Sequence, residues 1–122
     1  MNSTKTNIFE LPLSAVPSYN KILGMSYRAR MGVKRIQQQY MMTQIVGKHK
    51  MQKCAVGLNI YTCQLRDEDG LNTALKYPLD YLEKQGYIPN DSPKHVTVSR
   101  PKQFKVSNRS EQKVVIIMQE IK

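Results

Sequence analysis

The chain has 122 residues and a mass of 14.1 kDa, with 40% apolar residues and 19 Lys plus Arg against 9 Asp plus Glu, a formal net charge of +10. That is the size of one domain, with apolar content for one modest core and too much of it for a wholly disordered chain. No stretch approaches the ~20 consecutive apolar residues of a membrane helix, and the polar opening from Met1 to Glu10 carries no hydrophobic signal segment, so a cytoplasmic protein without a membrane partner is expected.

Residues 1–7 read as a polar, frayed lead-in. Ile8 to Leu13 reads as a short first strand, which Pro12 confines to an edge or a strand end. Pro17-Ser18-Tyr19-Asn20 is turn chemistry, because Pro fixes φ while Ser and Asn hydrogen-bond their local backbone. From Ser26 to Val46 the period becomes helical. Met25, Met31, Ile36, Tyr40, Thr43 and Val46 fall on one side, with Ser26 as the N-cap and Gly47 as the C-cap. The opposite side carries Arg28, Arg30, Lys34, Arg35 and Gln37 to Gln39. Tyr27 and Tyr40 are read as core packing, with stacking on unpaired bases as the alternative.

Lys48-His49-Lys50 and Lys53 form a basic loop, and Cys54 to Cys63 then reads as a strand with Val56, Leu58, Ile60 and Thr62 facing one way. The two cysteines are nine residues apart, which puts them on opposite faces of a strand, so both are expected as reduced core thiols. Leu71, Ala74, Leu75, Leu79 and Leu82 recur at helical spacing up to Gly86, and Pro78 predicts a kink or a split. Ile88 to Pro93 reads as a loop, and His95 to Ser99 and Lys113 to Ile121 as strands. Between them, Arg100 to Gln112 reads as a long, mobile, basic hairpin loop. His49 and His95 have no ligand-like spacing. The expected fold is α+β, one small domain over residues 1–122, with a mixed sheet and two helices in the order β-α-β-α-β-β.

The charge is unevenly distributed. Six of the nine acids lie between Asp67 and Asp91 against two lysines, Lys76 and Lys84, while the rest of the chain holds 17 bases and three acids. Acids on a solvated helix with bases for solubility would account for this, and so would a metal-dependent nuclease. There, bases hold phosphates and clustered carboxylates hold divalent cations. Asp67 and Asp69, separated by one residue at the junction of strand and helix, point to the same side of an extended backbone. Asp91 follows in the turn Pro89-Asn90-Asp91-Ser92-Pro93. A helix over 70–85 would run about 24 Å, and the return to Asp91 covers at most roughly 20 Å. A three-aspartate site is therefore tight within one chain, and easier if the helix starts late, bends at Pro78, or if a second subunit supplies Asp91. The local alternatives are Asp69 as a helix N-cap and Asp91 as a turn former.

Taken together, Asp67-Glu-Asp-Gly-Leu-Asn-Thr-Ala-Leu-Lys76, Leu79-Asp80-Tyr-Leu82 and Gly86-Tyr-Ile-Pro-Asn-Asp91-Ser92-Pro93 resemble the RusA-like Holliday junction resolvases. Pro17-Ser18-Tyr19-Asn20-Lys21 resembles that family's N-terminal element, and Met25 to Arg35 the basic segment of its phage and prophage-type members. The likeness spans roughly residues 8–121. It implies a homodimeric endonuclease, bacterial or phage-encoded, that nicks four-way DNA junctions with Mg²⁺, or Mn²⁺ in its place, and no small-molecule cofactor. By that resemblance Asp67, Asp69 and Asp91 are the metal-binding catalytic aspartates and Lys76 the catalytic-region lysine. Three departures stand out: the best-known pattern has its lysine where this chain has Thr73, and Lys76 follows the Ala-Leu-Lys variant; Gly70 replaces the usual Asn; and Asn90 replaces the first Asp of a double-Asp turn, keeping an oxygen but losing a charge.

In this reading Lys76 sits near developing negative charge on the phosphate; an i,i+4 pair with Asp80 is its structural alternative. Lys21, Arg28, Arg30, Lys34, Lys48, Lys50, Lys102, Lys105 and Arg109 are the expected contacts to DNA backbone phosphates. Two further readings compete: a branched-DNA-binding or regulatory protein without nuclease activity on the same scaffold, and a basic RNA-associated protein. The second accounts for the charge but not for the acidic window.

Overall fold

Strict alternation builds the central strand. In β2 (Cys54–Thr62), Cys54, Val56, Leu58, Ile60 and Thr62 are buried, and the residues between them are only partly covered. A computed structural model describes residues 4–66 and 71–121, and it places β2 inside a mixed five-stranded sheet with three α-helices, an α+β domain. The strand β5 (Lys113–Glu120) runs antiparallel to β2, with Leu58 opposite Ile116. On the far side of β5 lies β1 (Thr6–Pro12), also antiparallel, at the edge where its terminal Pro12 removes no needed ladder bond. The other side of β2 carries two short parallel strands end to end, β3 (Val96–Val98) against Cys54–Val56 and β4 (Lys102–Lys105) against Asn59–Thr62.

β4 corrects the expectation of a mobile hairpin loop over 100–112. Lys-Gln-Phe-Lys has no apolar run of its own to announce a strand. It is extended because β2 offers a ladder and because Phe104 stacks on Tyr61, with ring centroids 5.1 Å apart. β5 meets β2 and β1, so the chain crosses over between β4 and β5 instead of turning back as a hairpin.

Three helices are present where two were expected. Residues read as a turn form a short α1 (Tyr19–Leu23), capped by Ser18, whose Oγ accepts from the Lys21 N–H at 3.4 Å. The guanidinium of Arg30 closes the other end, donating to the carbonyls of Ile22 (3.2 Å) and Leu23 (3.4 Å). α2 (Tyr27–Met42) starts at the expected cap, with Ser26 Oγ accepting from Ala29 N–H at 3.2 Å. It stops sooner than expected, at Thr43; Gly47 (φ +80°) belongs to a later turn. The buried side also differs. Gln37 and Met41 face the core, whereas Ile36 is 47%, Tyr40 42% and Tyr27 77% exposed. The pattern misleads because Gln37 occupies a core position to donate to the Ala15 carbonyl at 3.0 Å, which breaks the apolar period.

The segment after β2 splits as Pro78 demands. A 3-10 turn (Leu71–Leu75) leads into α3 (Lys76–Lys84), with Pro78 in the first helical turn, where a missing N–H costs little. α3 ends in a Schellman motif: Tyr87 N–H donates to Leu82 O (2.8 Å), Gly86 N–H to Glu83 O (3.1 Å), and Gly86 takes φ +79°. Leu71, Leu75, Tyr81, Leu82 and Met41 pack with Phe9, Leu11, Val56, Leu58, Ile60, Val114, Ile116 and Met118 in one core on a single face of the sheet. The other face, with Ile8, Ala55, Asn59, Tyr61 and Ile117, lies away from this core. Among the described residues no helix is long and apolar enough to cross a membrane.

Candidate functional site at the carboxyl end of β2

Past Thr62 the chain leaves the sheet under tight restraint. Thr62 Oγ1 donates to the Gln64 carbonyl (2.8 Å), Gln112 Oε1 accepts from Cys63 N–H (2.9 Å), and Gln103 grips Arg66 at both ends. In that last clamp Arg66 N–H donates to Gln103 Oε1 (2.7 Å), and Gln103 Nε2 donates back to Arg66 O (2.9 Å). A cleft of about 560 Å³ opens here, lined by Pro17, Ser18, Lys21, Gln64, Leu65, Arg66 and neighbours. Arg66 is half-buried, and that burial lowers its pKa from the ordinary value; a guanidinium still stays protonated at neutral pH. A partly desolvated cation beside Lys21 makes the cleft suited to an anionic group.

Asp67 and Asp69 follow Arg66 directly and lie outside the described residues, as do Glu68 and Gly70. Lys76, the first residue of α3, is exposed. Its proposed alternative partner, Asp80, is engaged elsewhere: Lys34 Nζ reaches Asp80 Oδ2 at 3.5 Å and also lies 6.0 Å from the Tyr77 ring centre.

Asp91 lies at the other end of the sheet. It is exposed in a turn where Asn90 Oδ1 accepts from Ser92 N–H (3.0 Å) and the Ser92 carbonyl accepts from His95 and Val96 (both 2.9 Å). The His95 carbonyl then accepts from Cys54 N–H at 2.9 Å, at the first residue of β2. Arg66, by contrast, is clamped to Gln103, which pairs with Ile60. Six residues of strand, roughly 20 Å, separate the two levels. Among the described residues no three His, Cys, Asp or Glu side chains are grouped to hold a metal.

The expected phosphate-contacting bases are dispersed. Lys21 lines the cleft, Lys102 and Lys105 lie on β4, and Arg109 opens a 3-10 turn (Arg109–Glu111). Arg28 and Lys50 are exposed elsewhere. Three carry structural duties: Arg30 caps α1, Lys34 pairs with Asp80, and Lys48 Nζ sits 5.2 Å over the buried Phe9 ring. His49 is held through its backbone by Asn7, and His95 Nδ1 lies 2.9 Å from the Gln52 carbonyl. The sequence reading missed Arg66, Gln64, Gln103 and Gln112. Their signal was slight, since a glutamine that clamps a distant backbone has no local pattern. No protein-family profile matches the chain, and no curated protein matches it.

Proposed function

We propose that the chain is a divalent-metal-dependent endodeoxyribonuclease acting on branched DNA, including four-way junctions. One observation carries this reading: Lys21 and the half-buried Arg66 line one cleft, and Arg66 is followed in sequence by Asp67-Glu68-Asp69. Cations suited to a phosphate at the carboxyl end of β2 are thus followed in sequence by a carboxylate pair. Asp67 and Asp69 would hold Mg²⁺, which when bound supplies a Lewis acid at the scissile phosphate and an acidified water. Lys21 and Arg66 hold the phosphate, and Lys76 meets developing negative charge from the start of α3.

Asp91 belongs to the same site only if a second copy delivers it, since its own β2 separates it from Arg66. That requirement makes a homodimer part of the proposal, and a C2 pair suits the two equivalent strands of a junction. Mixing Asp69→Asn chains with Asp91→Asn chains tests it. If Asp91 acts across subunits, one wild-type site re-forms in each mixed dimer and Mg²⁺-dependent nicking returns. If all three aspartates act within one chain, the mixture stays inactive.

The position of Asp91 also favours a second reading, a branched-DNA-binding protein that does not cut. Tight junction binding with no nicking in Mg²⁺ or Mn²⁺ would establish that reading over the first. Preference for structured RNA over junction DNA would overturn both.

A further inference from the structure

Across one end of the open sheet face runs a row of three paired residues on three strands. Lys113 of β5 and Phe104 of β4 both lie opposite Tyr61 of β2. Lys113 Nζ sits 5.5 Å from the Tyr61 ring centre, and the Tyr61 and Phe104 rings stack at 5.1 Å with 20° between their planes. The stack ends at Phe104 on a strand whose one ladder partner, among the described residues, is β2. One face of Phe104 meets Tyr61, and the residue is 42% exposed.

We infer that this row is a stacking platform for an unpaired nucleobase, with Phe104 as the contact ring. The inference rests on the nucleic-acid reading above and names the part of the substrate that is held. Whatever covers Phe104 must present a flat apolar face and also tolerate the surrounding charge. The segment 100–110 holds Arg100, Lys102, Lys105 and Arg109 and no acid. A hydrophobic protein surface fits the ring but not the cations. A base attached to a phosphodiester backbone fits both, because every base offers a π-face and every linkage a negative charge.

A groove of about 270 Å³ adjoins the row on the same face, with Gly57 and Asn59 in its lining and Arg100 and Lys102 on one side. It provides a path for the backbone on either side of the stacked base. Tyr61 immediately precedes Thr62, which lines the 560 Å³ cleft. A base on Phe104 is thus held at the same end of β2 as that cleft, on the opposite face of the sheet.

The chain contains no tryptophan, so Phe104→Trp introduces a single reporter ring. The probes are a short oligodeoxythymidylate and an abasic strand of the same length, both added in EDTA so that cutting plays no part. Quenching by the thymidine strand and none by the abasic strand is the expected result. Phe104→Leu, which keeps apolar bulk on the strand, should weaken oligodeoxythymidylate binding roughly 5- to 100-fold while leaving duplex binding unchanged. Equal quenching by both strands would reduce the face to a charged patch and overturn the inference. So would an emission change that follows protein concentration alone, because a second copy would then cover the ring. Junction nicking by Phe104→Leu in Mg²⁺, compared with Asp69→Asn, is scored separately. No quenching of the Phe104→Trp protein by either strand, with nicking by Phe104→Leu intact, removes the platform and leaves the nuclease reading standing.

Discussion

The carboxamide of Asn7 is 1% exposed, and it accepts from His49 N–H (2.8 Å) while donating to His49 O (2.7 Å). It serves the loop backbone as a neighbouring strand would. Gln44 does the same for Glu10 of the edge strand, at 2.7 and 2.6 Å, and Gln103 does it for Arg66. Asn7→Ala leaves both polar groups of His49 unpaired, at a cost of about 1–3 kcal/mol; urea unfolding should give a lower midpoint with an unchanged m-value. The two cysteines separate cleanly: both are free thiols, but only Cys54 is in the core as expected, and Cys63, one residue past the end of β2, is only partly buried. Iodoacetamide on the native protein should label Cys63 and spare Cys54, which peptide mass spectrometry reads directly. Burial raises the pKa of the Cys54 thiol above 9.0 and, with help from Tyr87, that of the Tyr81 phenol above 10.0. The unfolded chain therefore releases these protons first. Stability present at neutral pH should fall as pH rises past 9, and Cys54→Ala should flatten the start of that decline in urea unfolding.

Individual elements were legible wherever one force set them. The alternation of β2, the Ser26 cap and the β-branched run of β5 all stand near their expected bounds, because burial and capping are local signals. Elements defined by partners were not legible. β4 is a strand through its ladder to β2 and the Phe104–Tyr61 stack, and the α2 stripe is displaced because Gln37 fills an apolar position. In α3, Pro78 and Gly86 predict losses of different origin. Pro78→Ala should cause no backbone strain, since the residue sits in the first turn, and should lower thermal stability by about 1 kcal/mol through loss of the buried ring and a freer unfolded chain. Gly86→Ala should cost about 1–2 kcal/mol through backbone strain alone, because a Cβ there meets nothing within 4 Å while φ is +79°. Thermal unfolding of the two variants side by side reads both losses.

Viewed as a whole, the molecule explains the placement of Asp91. β2, α3 and β3 form a parallel strand–helix–strand unit, in which the residue after the first strand and the residue before the second must lie at opposite ends. The strand assignments at 54–63 and 95–99 already contained that consequence, had they been taken as parallel. The pairing direction was the missing information, and it is a tertiary property. The paired aspartates lie outside the described residues, so the legible part of the candidate site is its basic rim. The proposed DNA binding carries a salt signature: log affinity should fall linearly with log salt, and replacing Lys102 and Lys105 of β4 by Ala should flatten the slope by about 2 if both contact duplex phosphates. A salt titration by fluorescence anisotropy measures it.

Gln103 and Phe104 are consecutive, so the pleat sends them to opposite sides, one to the Arg66 backbone and the other to the aromatic row. Adding or deleting a single residue in the connection at 99–101 that shifted β4 by one place along β2 would exchange their sides, breaking the clamp and turning the ring inward in one step. The connection takes four steps from Val98 to Lys102 where β2 takes three from Val56 to Asn59, and that one-residue excess is what sets the two side chains on their sides.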